Sequence, residues 1–163
     1  MQVIGYKCFN EDLTNRYGIN FEIGKIYSTK GEIKFGNVGN GFHFCKSIED
    51  TFRYFDIFAK NVTVCIVRGF GNIVEYEDEY NGYYNMYVSE NIEILKELTR
   101  EEIIQTMLNS NEIKVCRFIQ TFKLTNNERE MFKKRCSSHS IISKYIECYQ
   151  LNNKEIFKIK TIR

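Results

Sequence analysis

The sequence predicts an α+β fold: a mixed or antiparallel N-terminal sheet carrying one packed helix, then a small helical C-terminal part docked on it. Three observations predict this. All ten glycines fall between Gly5 and Gly82, so turn punctuation stops halfway along the 163 residues. Charge divides near the same point. Residues 1–98 carry ten Lys/Arg against fourteen Asp/Glu, a net of −4, while residues 99–163 carry thirteen against seven, a net of +6. After Leu98 the apolar residues change from short β-type runs to helical spacing. Two parts are therefore expected, 1–98 and 99–163.

Within the first part, strands are expected at 3–9, at 21–28 with a break at Gly24, at 32–35 and at 41–45. Residues 62–68 are the strongest strand. Val62-Thr63-Val64-Cys65-Ile66-Val67 is β-branched and nearly all apolar, as a strand with neighbours on both sides should be. Weaker strands are expected at 72–76, 85–88 and 92–95. One helix, at about 48–60, interrupts them. Ser47 supplies an N-cap, Glu49 and Asp50 suit the positive end of the helix dipole, and Ile48, Phe52, Phe55 and Phe58 recur at helical spacing.

In the second part, Thr99-Arg100-Glu101-Glu102 and Thr125-Asn126-Asn127-Glu128 are capping boxes. They open helices at about 100–109 and 126–136. A helix at about 112–122 lies between them, and Ser138 or Ser140 caps a fourth, with Ile141, Ile142, Tyr145, Ile146 and Tyr149 on one side. Residues 156–160 alternate like a strand or an extended tail.

Composition narrows the classes. With 43% hydrophobic residues, 27% charged and no proline, the chain is neither low-complexity nor collagen-like. No apolar run approaches the roughly 18 residues of a membrane span, and residues 1–7 do not read as a signal peptide. Six cysteines, none in a C-x-x-C spacing, read as free thiols in a reducing compartment. A cytoplasmic protein without membrane contact is expected.

Candidate chemistry is sparse. On a strand, His43 and Cys45 share one face and Phe42 and Phe44 the other. A Cys–His pair suits a nucleophile with its base, or two metal ligands, but only one further histidine exists, His139. The plainer alternative is a sheet with one aromatic buried face and the other under the 48–60 helix. No catalytic residue, metal or cofactor is assigned on these residues. Residues 75–84 hold four acids among tyrosines. With Asn81-Gly82 reversing the chain, Tyr76, Tyr80, Tyr83, Tyr84 and Tyr87 form a candidate binding surface, to which His43 is added. The basic end, with Lys133-Lys134-Arg135, Lys154, Lys158, Lys160 and Arg163, could contact phosphates or be a solvated face.

Tyr6-Lys7-Cys8-Phe9, Phe21-Glu22-Ile23-Gly24-Lys25-Ile26-Tyr27, Gly41-Phe42-His43-Phe44-Cys45 and Arg53-Tyr54-Phe55 resemble an uncharacterised domain of phages, bacteria and large DNA viruses. The resemblance spans roughly residues 3–98 and implies a viral or phage-like origin without assigning a function. A second, topological resemblance is to ADP-ribosyltransferases, through the order of 6–7, 41–45, 53–55, 64–69 and 85–88. It implies an NAD-dependent activity, possibly degenerate. Lys7 stands where that family has Arg or His, the S-T-S triplet is absent, and Glu79 and Glu90 are the nearby carboxylates.

Three functions follow as expectations. The leading one is a non-enzymatic interaction module that binds a protein partner. The alternatives are an ADP-ribosyltransferase-like enzyme and a nucleic-acid binder using the basic end.

Overall fold

The order of elements in the computed structural model is β1 (Gln2–Asn10), β2 (Ile26–Ser28), β3 (Phe42–Cys45), α1 (Ile48–Tyr54), β4 (Val62–Glu77), β5 (Asn85–Glu97), α2 (Arg100–Leu108), α3 (Glu112–Thr121), α4 (Asn126–Arg135) and α5 (Ile141–Tyr149). The structure describes residues 1–36, 39–54, 62–77, 85–135 and 140–151. The expected end of the 48–60 helix, Tyr80, Tyr83, Tyr84, His139 and the 156–160 run lie outside the described residues.

All strand pairings are antiparallel. The order is β2-β5-β3-β1-β4, and β4 also pairs with β5. The pairing therefore runs β1–β4–β5–β3 and back to β1, a barrel-like circuit with β2 on its outside. The expected strands at 62–68 and 72–76 are one strand of 16 residues, and those at 85–88 and 92–95 are one of 13. Two register shifts, at Ile66/Val67 and between Phe70 and Ile73, join the pieces. An extra residue bends a strand and increases its twist, so sequence periodicity breaks while pairing continues. The bent β5 pairs β4 along one edge, and β3 and then β2 along the other. Residues 32–35 form no strand, and only 26–28 of the 21–28 segment pairs. Asn40 takes up the backbone of the first of these: its Nδ2 donates to the carbonyls of Lys30 and Glu32.

Two apolar clusters lie on opposite faces of the sheet. One contains Phe9, Phe21, Phe44, Cys65, Val67, Ile92 and Ile94. Phe44 is its centre, and both strands beneath it are glycine there. A Cβ on Gly5 would lie 2.6 Å from the Phe44 ring, and one on Gly69 would meet the same ring. The second cluster joins Cys8 and Val64 of the sheet to Ile48 and Phe52 of α1 and to all four later helices. At its heart the ring of Phe118 lies 4.8 Å from both Phe52 and Phe122 and 5.9 Å from Phe132.

The second part begins as its sequence predicts. The Thr99 hydroxyl accepts from the Glu102 amide, and the Glu102 carboxylate accepts from the Thr99 amide at 2.7 Å. Thr125 and Glu128 repeat this exchange. Ser140, not Ser138, caps α5. Charged side chains fasten the helices to the sheet part. Lys114 pairs with the buried Asp50 at 2.8 Å, and Arg117 donates to the last carbonyls of α1, those of Phe52 and Arg53.

Candidate functional site

The circuit is weakest where β3 meets β1. Only one registered pair joins them, Tyr6 opposite Cys45. Continued antiparallel pairing would bring Cys8 opposite His43. Instead the Lys7 side chain crosses the gap, and its Nζ donates to the His43 carbonyl at 2.6 Å. A cavity of about 600 Å³ passes through this opening. Its walls come from both faces of the sheet: Phe42 and Phe44 from one, His43, Cys45, Cys8 and Met86 from the other. That volume lies within the range of small-ligand sites.

Two loops build the mouth. The loop after β1 is held by its own backbone: the Asn10 amide donates to the Thr14 carbonyl, the Leu13 amide to the Asn10 carbonyl and the Asn15 amide to the Ile19 carbonyl. The Asn15 side chain accepts from the amides of Tyr17 and Ile19 at 2.9 Å. Tyr17 and Ile19 thus stand at the opening, 64% and 54% exposed, and Phe35 of the second loop also lines the cavity at 36%. Exposed apolar groups gathered around one cavity are a feature of interaction sites.

The electrostatics are one-sided. Lys7, Arg16 and His43 line the cavity, and among the described residues no Asp or Glu does. Burial pulls the Lys7 amine down to about 8, against an opposing pull from the Cys45 and Cys8 sulfurs and with a smaller one from Arg16 in the same direction. Burial also holds His43 below the usual imidazole range, aided by Lys7 and Arg16. The His43 Nε2 atom is buried without a hydrogen-bond partner. The thiols move in the other direction. Burial pushes Cys8 up to about 12, where it donates to the Thr51 hydroxyl at 3.1 Å, and burial and Asp50 raise Cys45. Cys45 is therefore a protonated thiol at neutral pH, unsuited to attack as a thiolate. Among the described residues no three His, Cys, Asp or Glu side chains group as a metal site would require.

The expected binding residues divide between two faces. Tyr76 stacks on Phe35 with ring centres 3.9 Å apart and planes at 7°, and Phe35 lies 5.5 Å from the His43 ring. Tyr76 thus joins His43 in one aromatic column through Phe35; His43 and Phe35 line the cavity, and Tyr76 backs Phe35. Tyr87 stands opposite Glu75 rather than Tyr76 in the β4–β5 register, so it points to the other face, against Phe44 and under the Lys46 amine. Lys7, Arg16, Tyr17 and Phe35 were missed as site residues. The F-E-x-G-K and G-F-H-x-C segments carried part of the signal, since Phe21 and residues 41–45 line the cavity. Nothing local marks Arg16 or Phe35, which arrive through loop geometry.

Of the other candidates, Glu90 accepts from the Asn72 amide and braces the β4 bulge, while Glu79 lies outside the described residues. In the basic stretch of α4, Lys133 pairs with Glu130, and Arg135 donates to the carbonyls of Met107 and Ser110. No helix of the described residues is long and apolar enough to cross a membrane.

A family model described as a domain of unknown function, DUF7666, matches residues 3–106. That span holds the whole sheet, α1 and most of α2, and with them every residue of the cavity. Neither a curated protein nor a solved structure matches the chain.

Proposed function

The chain belongs to the DUF7666 family, and from that premise we propose that it is a non-enzymatic recognition module that receives part of a protein partner in the β1–β3 cavity. One observation carries this reading: a preformed aromatic cavity whose mouth is ringed by the exposed apolar side chains of Tyr17, Ile19 and Phe35. A small solute needs only the interior. Apolar groups outside it are useful to a larger partner that covers them. The buried, protonated thiols of Cys8 and Cys45 support binding over covalent chemistry. The sequence pattern and the buried free thiols support a phage- or virus-like protein acting in the cytoplasm.

A photo-crosslinking amino acid at Ile19 tests the reading. In the producing cell it should give a discrete protein adduct. The same group at Ile113, exposed on α3 and outside the cavity, should not. Equal labelling from both positions, or none from Ile19, refutes the proposal.

A further inference from the structure

We propose that the partner segment is an acidic peptide: a carboxylate, lodged on Lys7 with Arg16 alongside, next to an aromatic side chain that packs between Phe35 and Tyr17. The inference rests on the reading of the cavity as the recognition site and supplies its chemistry.

The argument starts from Lys7. An ammonium carries three donors, and desolvating one is costly unless it is paired. Here one donor reaches the His43 carbonyl, and the Phe9 ring centre lies 5.7 Å away. Among the described residues no carboxylate acts on the amine, and the cation nearest in effect is Arg16. The Arg16 guanidinium is set on the Tyr17 ring, 4.8 Å from its centre, and donates to the Tyr17 hydroxyl at 2.7 Å. Two cations thus border an aromatic cavity that no described acid lines, with His43 Nε2 as a further polar atom that lacks a protein partner. An anion in the cavity accepts hydrogen bonds from Lys7, whose ammonium gives one of its three donors to the His43 carbonyl.

A single carboxylate fits better than a nucleic acid. The cavity's cations sit within a part, residues 1–98, that as a whole carries a net charge of −4. A polyanion following the surface away from the cavity would meet that excess of acid, whereas one inserted carboxylate meets only the local cations.

The experiment is a random-peptide display selection on the full chain, with counter-selection on Ile19→Trp, which obstructs the mouth. Enriched peptides should hold Asp, Glu or a free C-terminal carboxylate beside Phe, Tyr or Trp. Synthetic versions with amidated and free C-termini then tell a side-chain acid from a terminal one. Lys7→Met should weaken them at least about tenfold, with Lys7→Arg recovering most of the loss. Arg16→Met, on an exposed loop, should weaken them in the same direction without threatening the fold.

Mouth-sensitive peptides that lack an acid, or acidic ones indifferent to both Lys7→Met and Arg16→Met, overturn the inference and leave the recognition reading intact. Failure to enrich any peptide sensitive to Ile19→Trp removes both. A labelled ten-residue oligothymidylate serves as a parallel probe. Binding by it that Lys7→Met abolishes would give the cavity to nucleic acid and overturn the peptide.

Discussion

In the helical part, Arg117, Arg129, Arg135 and Gln150 each donate to backbone carbonyls: Phe52 and Arg53, Gln150, Met107 and Ser110, and Ile119 and Phe122 respectively. In the sheet part, among the described residues, Lys7 has one backbone acceptor and no acid, and His43 Nε2 has no hydrogen-bond partner. Both parts place long polar side chains at the edge of an apolar cluster. The helices use theirs to close exposed helix ends, which removes unsatisfied carbonyls and fixes the packing. The cavity leaves charge facing space. That contrast separates groups held for stability from groups held for a ligand.

Removing the centre of the helical core should have the largest effect. Phe118 is fully buried among three other rings, so Phe118→Ala should cost about 3–5 kcal/mol in urea unfolding. A loss below about 1 kcal/mol would show that the helical part is not the packed half.

Lys7 offers the opposite behaviour. Its folded amine lies at about 8 rather than 10.5, so the folded state disfavours its charge. Between those values the unfolded chain holds more protons, and stability rises with pH until the penalty vanishes above 10.5. Cys8 and Cys65, both pushed up to about 12, work against this above pH 9, so the comparison must be made with a variant. Lys7→Met should be more stable than the parent at pH 7. Its advantage should shrink by up to about 3 kcal/mol between pH 8 and 10.5. A gap independent of pH would remove the claim that this amine is strained by burial.

Gln150 sharpens the helical side. Its Oε1 accepts from the Leu124 amide while its Nε2 donates to the carbonyls of Ile119, in the last turn of α3, and Phe122, its C-cap. Gln150→Ala should cost about 1–3 kcal/mol, because buried backbone groups lose their partner. Hydrogen exchange should show the loss at residues 122–125 first.

The smallest stability change is expected at the mouth. Ile19 is exposed, and Ile19→Trp should leave the unfolding midpoint within about 0.5 kcal/mol of the parent while abolishing ligand capture. Destabilisation beyond about 1 kcal/mol would mean the loop serves the core instead.

Much of this fold was legible in the sequence, for local reasons. The capping boxes at Thr99 and Thr125 and the alternation at 42–45 act over a few residues, and each appears as expected. The Phe42 and Phe44 side chains do lie on the aromatic face away from α1. The continuity of β4 and β5 was not legible, because a bulge is defined by the partner strand rather than by its own residues. The site was half legible. His43 and Tyr76 were identifiable as an unusual histidine and a crowded tyrosine run, but their common wall depends on Phe35, which has no periodic neighbour. Lys7 read as one cation among many, since its isolation from acids is a fact of three-dimensional neighbours.

The closed path of pairing has a consequence for crowded solutions. A strand with a free side can recruit another molecule through its unpaired amides and carbonyls. Here the outermost strand, β2, is only three residues long, too short a template for a second chain to grip. Concentrated samples should therefore resist stacking into fibrils at this edge.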